Sequence, residues 1–283
     1  MVLEVVWYGA SCFKLKTDTG VEIYIDPYLD SRRNFNPPPI LSRDIKKADL
    51  LLATHGHFDH FQDALTILNQ TEAKLVASRE VVNYIREKIG FPSDRLYGVN
   101  YDEALSFNDI EIYVTKAVHR SAIEILRWWF RNPELKVQSR EEVVELFKKV
   151  LIHKDTIEFA FSMPPGPLQG YIITTEDGFR IWNVSETKPL DELAQYRKRF
   201  KPQVHLISAL AGHEEDTLKI INIVKPKIII LYQFDKIHSE TPYYKSYEEL
   251  QEKLIKRIYG KIEVIVPKPG KTYAFDIAWR NQP

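Results

Sequence analysis

The chain has 283 residues, 44% of them hydrophobic and 28% charged, so it can bury a large core in one large domain or two small ones. Lys plus Arg (39) equals Asp plus Glu (39), which excludes a global basic field of the kind that draws a protein to nucleic acid or anionic lipid. Cys12 is the only cysteine, which excludes an intramolecular disulfide. There is also no apolar run long enough for a membrane span or signal peptide. We therefore expect a cytoplasmic protein without a membrane span.

The first half of the chain has the composition of short β-strands. Runs of aliphatic, aromatic and β-branched residues predict strands over residues 4–8, 12–16, 21–25, 50–54, 74–77 and 110–118. One helix is predicted over residues 78–88, with Ser78 as its N-cap and the Gly-Phe-Pro segment at 90–92 as its end. This half is therefore predicted to be mostly sheet.

A helical segment interrupts the strands in the middle of the chain. Residues 121–131 are very apolar, and Ser139 with Glu142 forms a capping box ahead of a second amphipathic stretch. The pattern predicts a helical hairpin inserted at about 120–168. Its aromatic run at 128–130 is expected either to cover a substrate as a lid or to form the buried contact with the sheets.

The second half of the chain alternates strands with helices. Strands are predicted over 169–174 and 179–184, followed by a helix over 190–199. A β-α-β-α-β series is then predicted over residues 204–209, 214–224, 227–233, 247–259 and 262–266. The alternation predicts an α/β fold, and we expect a single domain over residues 1–283.

One short loop concentrates residues that bind metals. It follows the strand predicted over 50–54, and four residues of metal-binding types fall within six positions: His55, His57, Asp59 and His60. Alternate residues of an extended turn project to one side, so a single loop of this kind can feed two adjacent ions. Imidazole and carboxylate donors suit Zn²⁺, with Fe or Mn as alternatives, and an open coordination position lowers the pKa of bound water to about 7. A polar loop whose histidines only bond to backbone is the competing interpretation, but this pattern arises by chance in roughly a few chains per ten thousand.

Residues 54–60 resemble the HxHxDH motif of the metallo-β-lactamase superfamily. The opening WYGASCFKL at 7–15, followed by Ile25-Asp26-Pro27, is similar to the branch that includes ascorbate-phosphate lactonase and N-acyl-phosphatidylethanolamine-hydrolysing phospholipase D. The resemblance implies a four-layer αββα sandwich with metals at one edge and with the helical insertion at about 120–168.

The resemblance also implies roles for individual residues. It assigns His55, His57 and His119 to one metal, and Asp59, His60 and a late histidine to the other. The WNVSET segment at 182–187 occupies the place of the family's bridging aspartate, so that Glu186 would bridge or cap the two ions. Asp26 would orient the ligands, and Asp59 would also accept the proton of the attacking water.

Three residues depart from the family pattern. Ala10 stands where the branch often has a histidine, and Glu186 is longer by one methylene than the expected aspartate. Gln233 occupies the usual position of the late ligand histidine. A neutral amide is a weak donor to a transition metal, so we expect His238, five residues later, to complete the second site instead.

These observations predict a metal-dependent hydrolase that uses a metal-bound hydroxide on a lactone, amide, ester or phosphodiester bond. The expected cofactor is one or two Zn²⁺ ions, with Fe or Mn as alternatives, and the expected partner is a small-molecule substrate, anionic or neutral, rather than nucleic acid. Three alternatives stay open: a metal-binding or regulatory protein with weak or no turnover, a phosphodiesterase or nuclease, and a di-iron redox protein, against which His57 counts. His213 lies between a predicted strand end and a helix start, where it would either line the active site or be a surface loop histidine, and we expect the surface position.

Overall fold

The computed structural model describes residues 2–30, 36–151, 154–238 and 240–276. Its strands are β1 (Val2–Gly9), β2 (Cys12–Lys16), β3 (Glu22–Ile25), β4 (Leu50–Leu52), β5 (Lys74–Ser78), β6 (Leu96–Val99), β7 (Ala104–Phe107), β8 (Ile110–Lys116), β9 (Gln169–Thr174), β10 (Arg180–Asn183), β11 (Val204–Ser208), β12 (Ile228–Tyr232), β13 (Glu263–Ile265) and β14 (Thr272–Asp276). Its α-helices are α1 (Phe58–Phe61), α2 (Ala64–Gln70), α3 (Arg79–Tyr84), α4 (Ala122–Trp129), α5 (Arg140–Val150), α6 (Lys154–Ser162), α7 (Glu192–Phe200), α8 (Glu214–Val224) and α9 (Tyr247–Lys253).

The described strands form two sheets with the same internal pattern. The first sheet has the order β14-β1-β2-β3-β4-β5-β6, and the second has the order β13-β12-β11-β10-β9-β8-β7. Each sheet has three antiparallel pairings on one side and three parallel pairings on the other. The pairing changes from antiparallel to parallel at β3 in the first sheet and at β10 in the second. The two sheets are therefore equivalent layers, although the first also takes β14 from the end of the described chain and the second takes β7 and β8 from its first half.

The hydrophobic core has separate layers that match this arrangement. One cluster joins the facing sides of the two sheets and includes Trp7, Leu52 and Ile230. Outer clusters pack α2 and α3 on the first sheet, and α7, α8 and α9 on the second. Strands β11 and β12 are buried along their whole length, as parallel strands covered on both faces require. The predicted four-layer αββα sandwich is confirmed.

The segment between β8 and β9 differs from the predicted hairpin, because it contains α6 in addition to α4 and α5. The residues of α6 include Thr156, Ile157, Phe159 and Phe161, which have low helix propensity, so the helix depends on tertiary packing. Phe159 stacks on Phe61 of α1 with ring centroids 6.3 Å apart. Residues 152 and 153 of the expected insertion lie outside the described residues.

Among the described residues, no helix combines the length and the apolar composition that crossing a membrane requires.

Candidate metal centre

The candidate ligands follow the carboxyl ends of strands from both sheets, and these strand ends lie at the same edge of the molecule. The HxHxDH loop runs from the end of β4 into α1, which carries Asp59 and His60. His119 follows β8, Glu186 follows β10 and Gln233 follows β12. Because β8, β10 and β12 run in the same direction, their following loops are brought together at that edge.

Gly56 allows the HxHxDH loop to lie against the segment that follows the inserted helices. Its amide donates a hydrogen bond to the carbonyl of Pro165 at 2.8 Å. A Cβ at this position would lie 2.2 Å from the carbonyl oxygen of Pro164, closer than any side chain can tolerate. The glycine between the first two histidines therefore fixes the loop by close backbone approach.

His55, His57 and His119 form one potential metal-binding group, with ligand atoms all within 4.8 Å of one another. The Nε2 of His55 is 2.9 Å from the Nδ1 of His57. The outer nitrogens are held by neighbours: Nδ1 of His55 lies 3.0 Å from the Thr54 hydroxyl, and Nδ1 of His119 lies 2.6 Å from the Arg120 carbonyl. Holding one ring nitrogen so that the other faces a common centre is the usual arrangement of metal-binding histidines.

His55, His60 and Glu186 form a second group that shares His55 with the first. Nδ1 of His60 lies 2.9 Å from the carboxylate of Asp26, which is fully buried and also accepts hydrogen bonds from the backbone amide and hydroxyl of Thr54. The Glu186 carboxylate lies 2.7 Å from Nε2 of His119 and 3.7 Å from Nε2 of His60, so it stands between the two groups.

The electrostatics of the cluster favour a bound cation. Burial lowers the pKa of His57 to about 3, and burial together with the neighbouring imidazoles lowers the pKa of His55, so both rings present lone pairs. Burial opposes charge on His60, but Asp26, Asp59 and Glu186 together raise its pKa well above the usual range. Likewise, burial opposes ionisation of Glu186, but His60 and His119 hold the pKa of its carboxyl well below the usual range.

Neutral imidazoles and ionised carboxylates in one buried cluster fit a divalent metal ion. Neighbouring carboxylates raise the pKa of His60 and of His119 in spite of burial, and a bound cation would compete with protons for these rings. Asp59 borders the cluster, with a carboxylate oxygen 3.7 Å from Nε2 of His60 and 19% of its side chain exposed. This donor chemistry accommodates Zn²⁺, Fe or Mn.

Contrary to our expectation, Gln233 and not His238 reaches the cluster. Nε2 of Gln233 lies 3.2 Å from Nε2 of His60 and donates to Glu186 at 3.0 Å, while its oxygen accepts a hydrogen bond from Ser208. The amide nitrogen thus faces the cluster and the metal-binding oxygen faces away.

His238 is directed elsewhere because the chain turns sharply at Gln233, which has a φ of 58°. Its ring is buried against Phe58 and Trp129, and its Nε2 lies 3.4 Å from the hydroxyl of Tyr28. The position of His238 is therefore in the packing beneath the inserted helices, away from Glu186.

A cavity of about 420 Å³ opens directly above the cluster. Its floor contains His55, His57, His119 and Glu186, and the three inserted helices supply much of its wall, including Trp128 and Trp129. His213, half-buried in the loop before α8, also lines it, and its ring centroid lies 5.6 Å from that of Trp128. It therefore borders the cavity, which was the alternative to the surface position that we expected. Burial, followed by the nearby Arg120 charge, lowers the pKa of His213 to about 4.

The domain profile described as a beta-lactamase superfamily domain matches residues 22–138, which include the whole HxHxDH loop and His119. This match supports the resemblance of the chain to the metallo-β-lactamase superfamily. The chain is similar to metallo-β-lactamase-fold proteins along nearly its whole length, as three matches illustrate.

A UPF0173 metal-dependent hydrolase of Myxococcus xanthus is 24% identical over 275 residues, which cover 96% of this chain and 83% of that protein. Another UPF0173 metal-dependent hydrolase, of Polynucleobacter asymbioticus, is 28% identical over 236 residues, which cover 80% and 72%. The structure of Igni18, a metallo hydrolase of Ignicoccus hospitalis, matches with a TM-score of 0.68 and 22% identity over 98% of this chain and 100% of that one. The last likeness shows that the two proteins share a fold.

Proposed function

We propose that this protein is a metal-dependent hydrolase that cleaves a small molecule at a carbonyl centre, such as an ester, a lactone or an amide. The observation that carries the proposal is the convergence of His55, His57 and His119 on the floor of the cavity. The resemblance to the superfamily and the names of the similar proteins support hydrolysis as the reaction class.

When bound, a divalent metal lowers the pKa of water to about 7 and polarises a substrate oxygen. We propose His55, His57 and His119 as its main ligands. His60 and Glu186 would hold a second ion. This ion would be bound more weakly, because Gln233 turns an N–H group toward that position rather than an oxygen that could coordinate the metal. The Asp59 carboxylate borders the same cavity, where it would accept the proton of the attacking water.

A phosphodiester substrate is the second candidate, and the groove beside the cavity favours it. The groove shares Arg120, Trp128 and His213 with the cavity. Its lining also includes Arg131 and Lys245, for which no carboxylate partner within 4 Å is described. Cationic side chains of this kind pair readily with phosphate.

The test is a substrate panel on protein loaded with Zn²⁺, Mn²⁺ or Fe²⁺: a p-nitrophenyl ester, a γ-lactone, an anilide and bis(p-nitrophenyl) phosphate. We expect metal-dependent hydrolysis of at least one carbonyl substrate and a loss of about 100-fold or more in the His57→Ala variant. His205→Leu is the matched control, because His205 is a buried histidine outside the cluster. Turnover of the phosphodiester alone would favour the second candidate, and no turnover of any substrate would contradict both.

A further inference from the structure

The cavity above the candidate metal centre is apolar everywhere except at its floor and at one corner. The inserted helices supply six large apolar side chains to its wall: Ile125, Trp128, Trp129, Phe147, Leu151 and Phe161. Apart from the cluster, Asp59 and Gln233, all of them at the floor, the polar side chains among the described lining residues are Arg120 and His213. The wall therefore favours an apolar occupant.

The charges at that corner are already matched within the protein. The guanidinium of Arg120 pairs with Asp216 at 2.8 Å, and His213 is neutral near pH 7 because burial lowers its pKa to about 4. An anionic group placed under the helices would lose its hydration without gaining an unpaired cation. An uncharged group would meet no such penalty.

The aromatic wall is fixed in place, with its polar atoms turned toward the protein. Nε1 of Trp128 donates to the carbonyl of Ala211 at 2.6 Å, and Nε1 of Trp129 lies 3.2 Å from the hydroxyl of Thr241. The two indoles stack with centroids 6.2 Å apart. Since each N–H group has a partner in the protein, the indoles present apolar ring surface to the cavity.

The size of the cavity limits the size of its occupant. At about 30 Å³ for each water-sized group, 420 Å³ holds on the order of fourteen such groups. This volume lies at the lower end of the range for small-molecule sites and is far too small for a polymer.

We propose that this cavity binds the uncharged acyl or aryl group of a small ester-, lactone- or amide-type substrate. The inference rests on the proposed function for the position of the scissile bond, which would lie at the histidine cluster. The occupant of the cavity is a separate question that binding alone can answer.

The experiment measures binding of 2-alkanones of four to ten carbons to the Zn²⁺-loaded protein, by quenching of tryptophan fluorescence and by calorimetry. These ketones carry a carbonyl and an apolar chain but cannot be hydrolysed. We expect the Kd to fall about fourfold for each added methylene, equivalent to about 0.8 kcal/mol, and then to level off when the cavity is filled.

Two variants should move this profile in opposite directions. Ile125→Trp fills part of the cavity and should abolish the gain for the longer ketones, whereas Phe147→Ala enlarges it and should extend the gain to longer chains. Lys149→Trp is the matched control, because Lys149 is exposed on α5 and does not line the cavity. It should leave the profile unchanged.

The inference would be overturned if the ketones did not bind or if their Kd did not depend on chain length. It would also be overturned if the dependence of Kd on chain length were the same in Ile125→Trp, in Phe147→Ala and in the wild type. The proposed function can fail separately. Length-dependent ketone binding without turnover of any ester, lactone or amide would uphold the cavity assignment and refute the hydrolase. Metal-dependent turnover with a flat ketone profile would do the reverse.

Discussion

The buried Asp26 carboxylate supports the group formed by His55, His60 and Glu186. Replacing Asp26 tests whether a residue that contacts only the ligands, and not the metal, holds them in position. Asp26 accepts hydrogen bonds from the Thr54 amide at 2.7 Å and from the Thr54 hydroxyl at 2.8 Å. Its second oxygen also lies 2.9 Å from Nδ1 of His60. In Asp26→Asn the volume is kept, but an NH₂ group would face the His60 nitrogen.

The magnitude follows from the lost charge-assisted hydrogen bond. Such a bond contributes about 1.5–3 kcal/mol when one partner is charged. Part of this loss should appear as a less restrained orientation of the His60 ring. Loss of a supporting contact of this kind lowers metal affinity by about 10- to 100-fold. We therefore expect Asp26→Asn to raise the Kd of the second, weaker Zn²⁺ ion, which His60 would help to hold, by that factor and to lower the free energy of unfolding by about 1–3 kcal/mol.

The assay is competition between metal-free protein and a chromophoric chelator for Zn²⁺. Asp63→Asn is the control, because Asp63 is also buried and accepts hydrogen bonds from the backbone amides of Leu29 and Asp30, neither of which belongs to the cluster. The control should lose stability and keep wild-type metal affinity. If Asp26→Asn binds Zn²⁺ as tightly as the wild type, or if Asp63→Asn loses affinity to the same degree, the reasoning is refuted.

Three further predictions concern other histidines and Gln233. Gln233→His places an imidazole beside Glu186 and should raise the Zn²⁺ stoichiometry toward two in elemental analysis, and an unchanged stoichiometry would count against a second site. His238→Ala should reduce stability but leave metal content unaltered, and loss of an ion would contradict its placement away from the cluster. His205 is buried, neither ring nitrogen has a described hydrogen-bond partner, and burial lowers its pKa from 6.5 to about 3. The unfolded chain therefore takes up the proton first as the pH falls below 6.5, so the protein loses stability between pH 6.5 and about 3. Urea titrations at pH 7 and 4 should show that His205→Leu removes about 3 kcal/mol of this acid sensitivity, and equal pH dependence in both proteins would exclude the effect.

Local patterns predicted most of the sheets, because the strands of the parallel regions carry continuous aliphatic runs such as Ile228–Tyr232. Strands β6, β7 and β14, each of which lies at an edge of its sheet, were not predicted. Strand β14 shows the reason. It is a short edge strand whose partner, β1, lies at the other end of the chain, so its pairing depends on contacts that a local pattern does not contain. Helix α6 was not predicted for the same reason, since its stability comes from packing on α1.

The HxHxDH loop was identifiable because its four candidate ligands are within six residues. The role of Gln233 was not, because it depends on the direction of the chain after β12. That direction is set by the left-handed backbone conformation of Gln233 and by the hydrogen bond that its backbone amide donates to the carbonyl of Ala10. These two residues are far apart in the sequence. The same limit applies to His213, whose burial depends on Trp128 of the inserted segment.

The most direct test of a metal-dependent hydrolase is titration of metal-free protein with Zn²⁺, Mn²⁺ or Fe²⁺, with bound metal and hydrolysis of a carbonyl substrate measured on the same samples. We predict that activity rises in proportion to the first equivalent of bound metal and that the triple variant His55→Ala, His57→Ala, His119→Ala binds no such equivalent and shows no activity. Equal hydrolysis by the metal-free protein, or a wild-type equivalent of metal bound to the triple variant, would contradict the account.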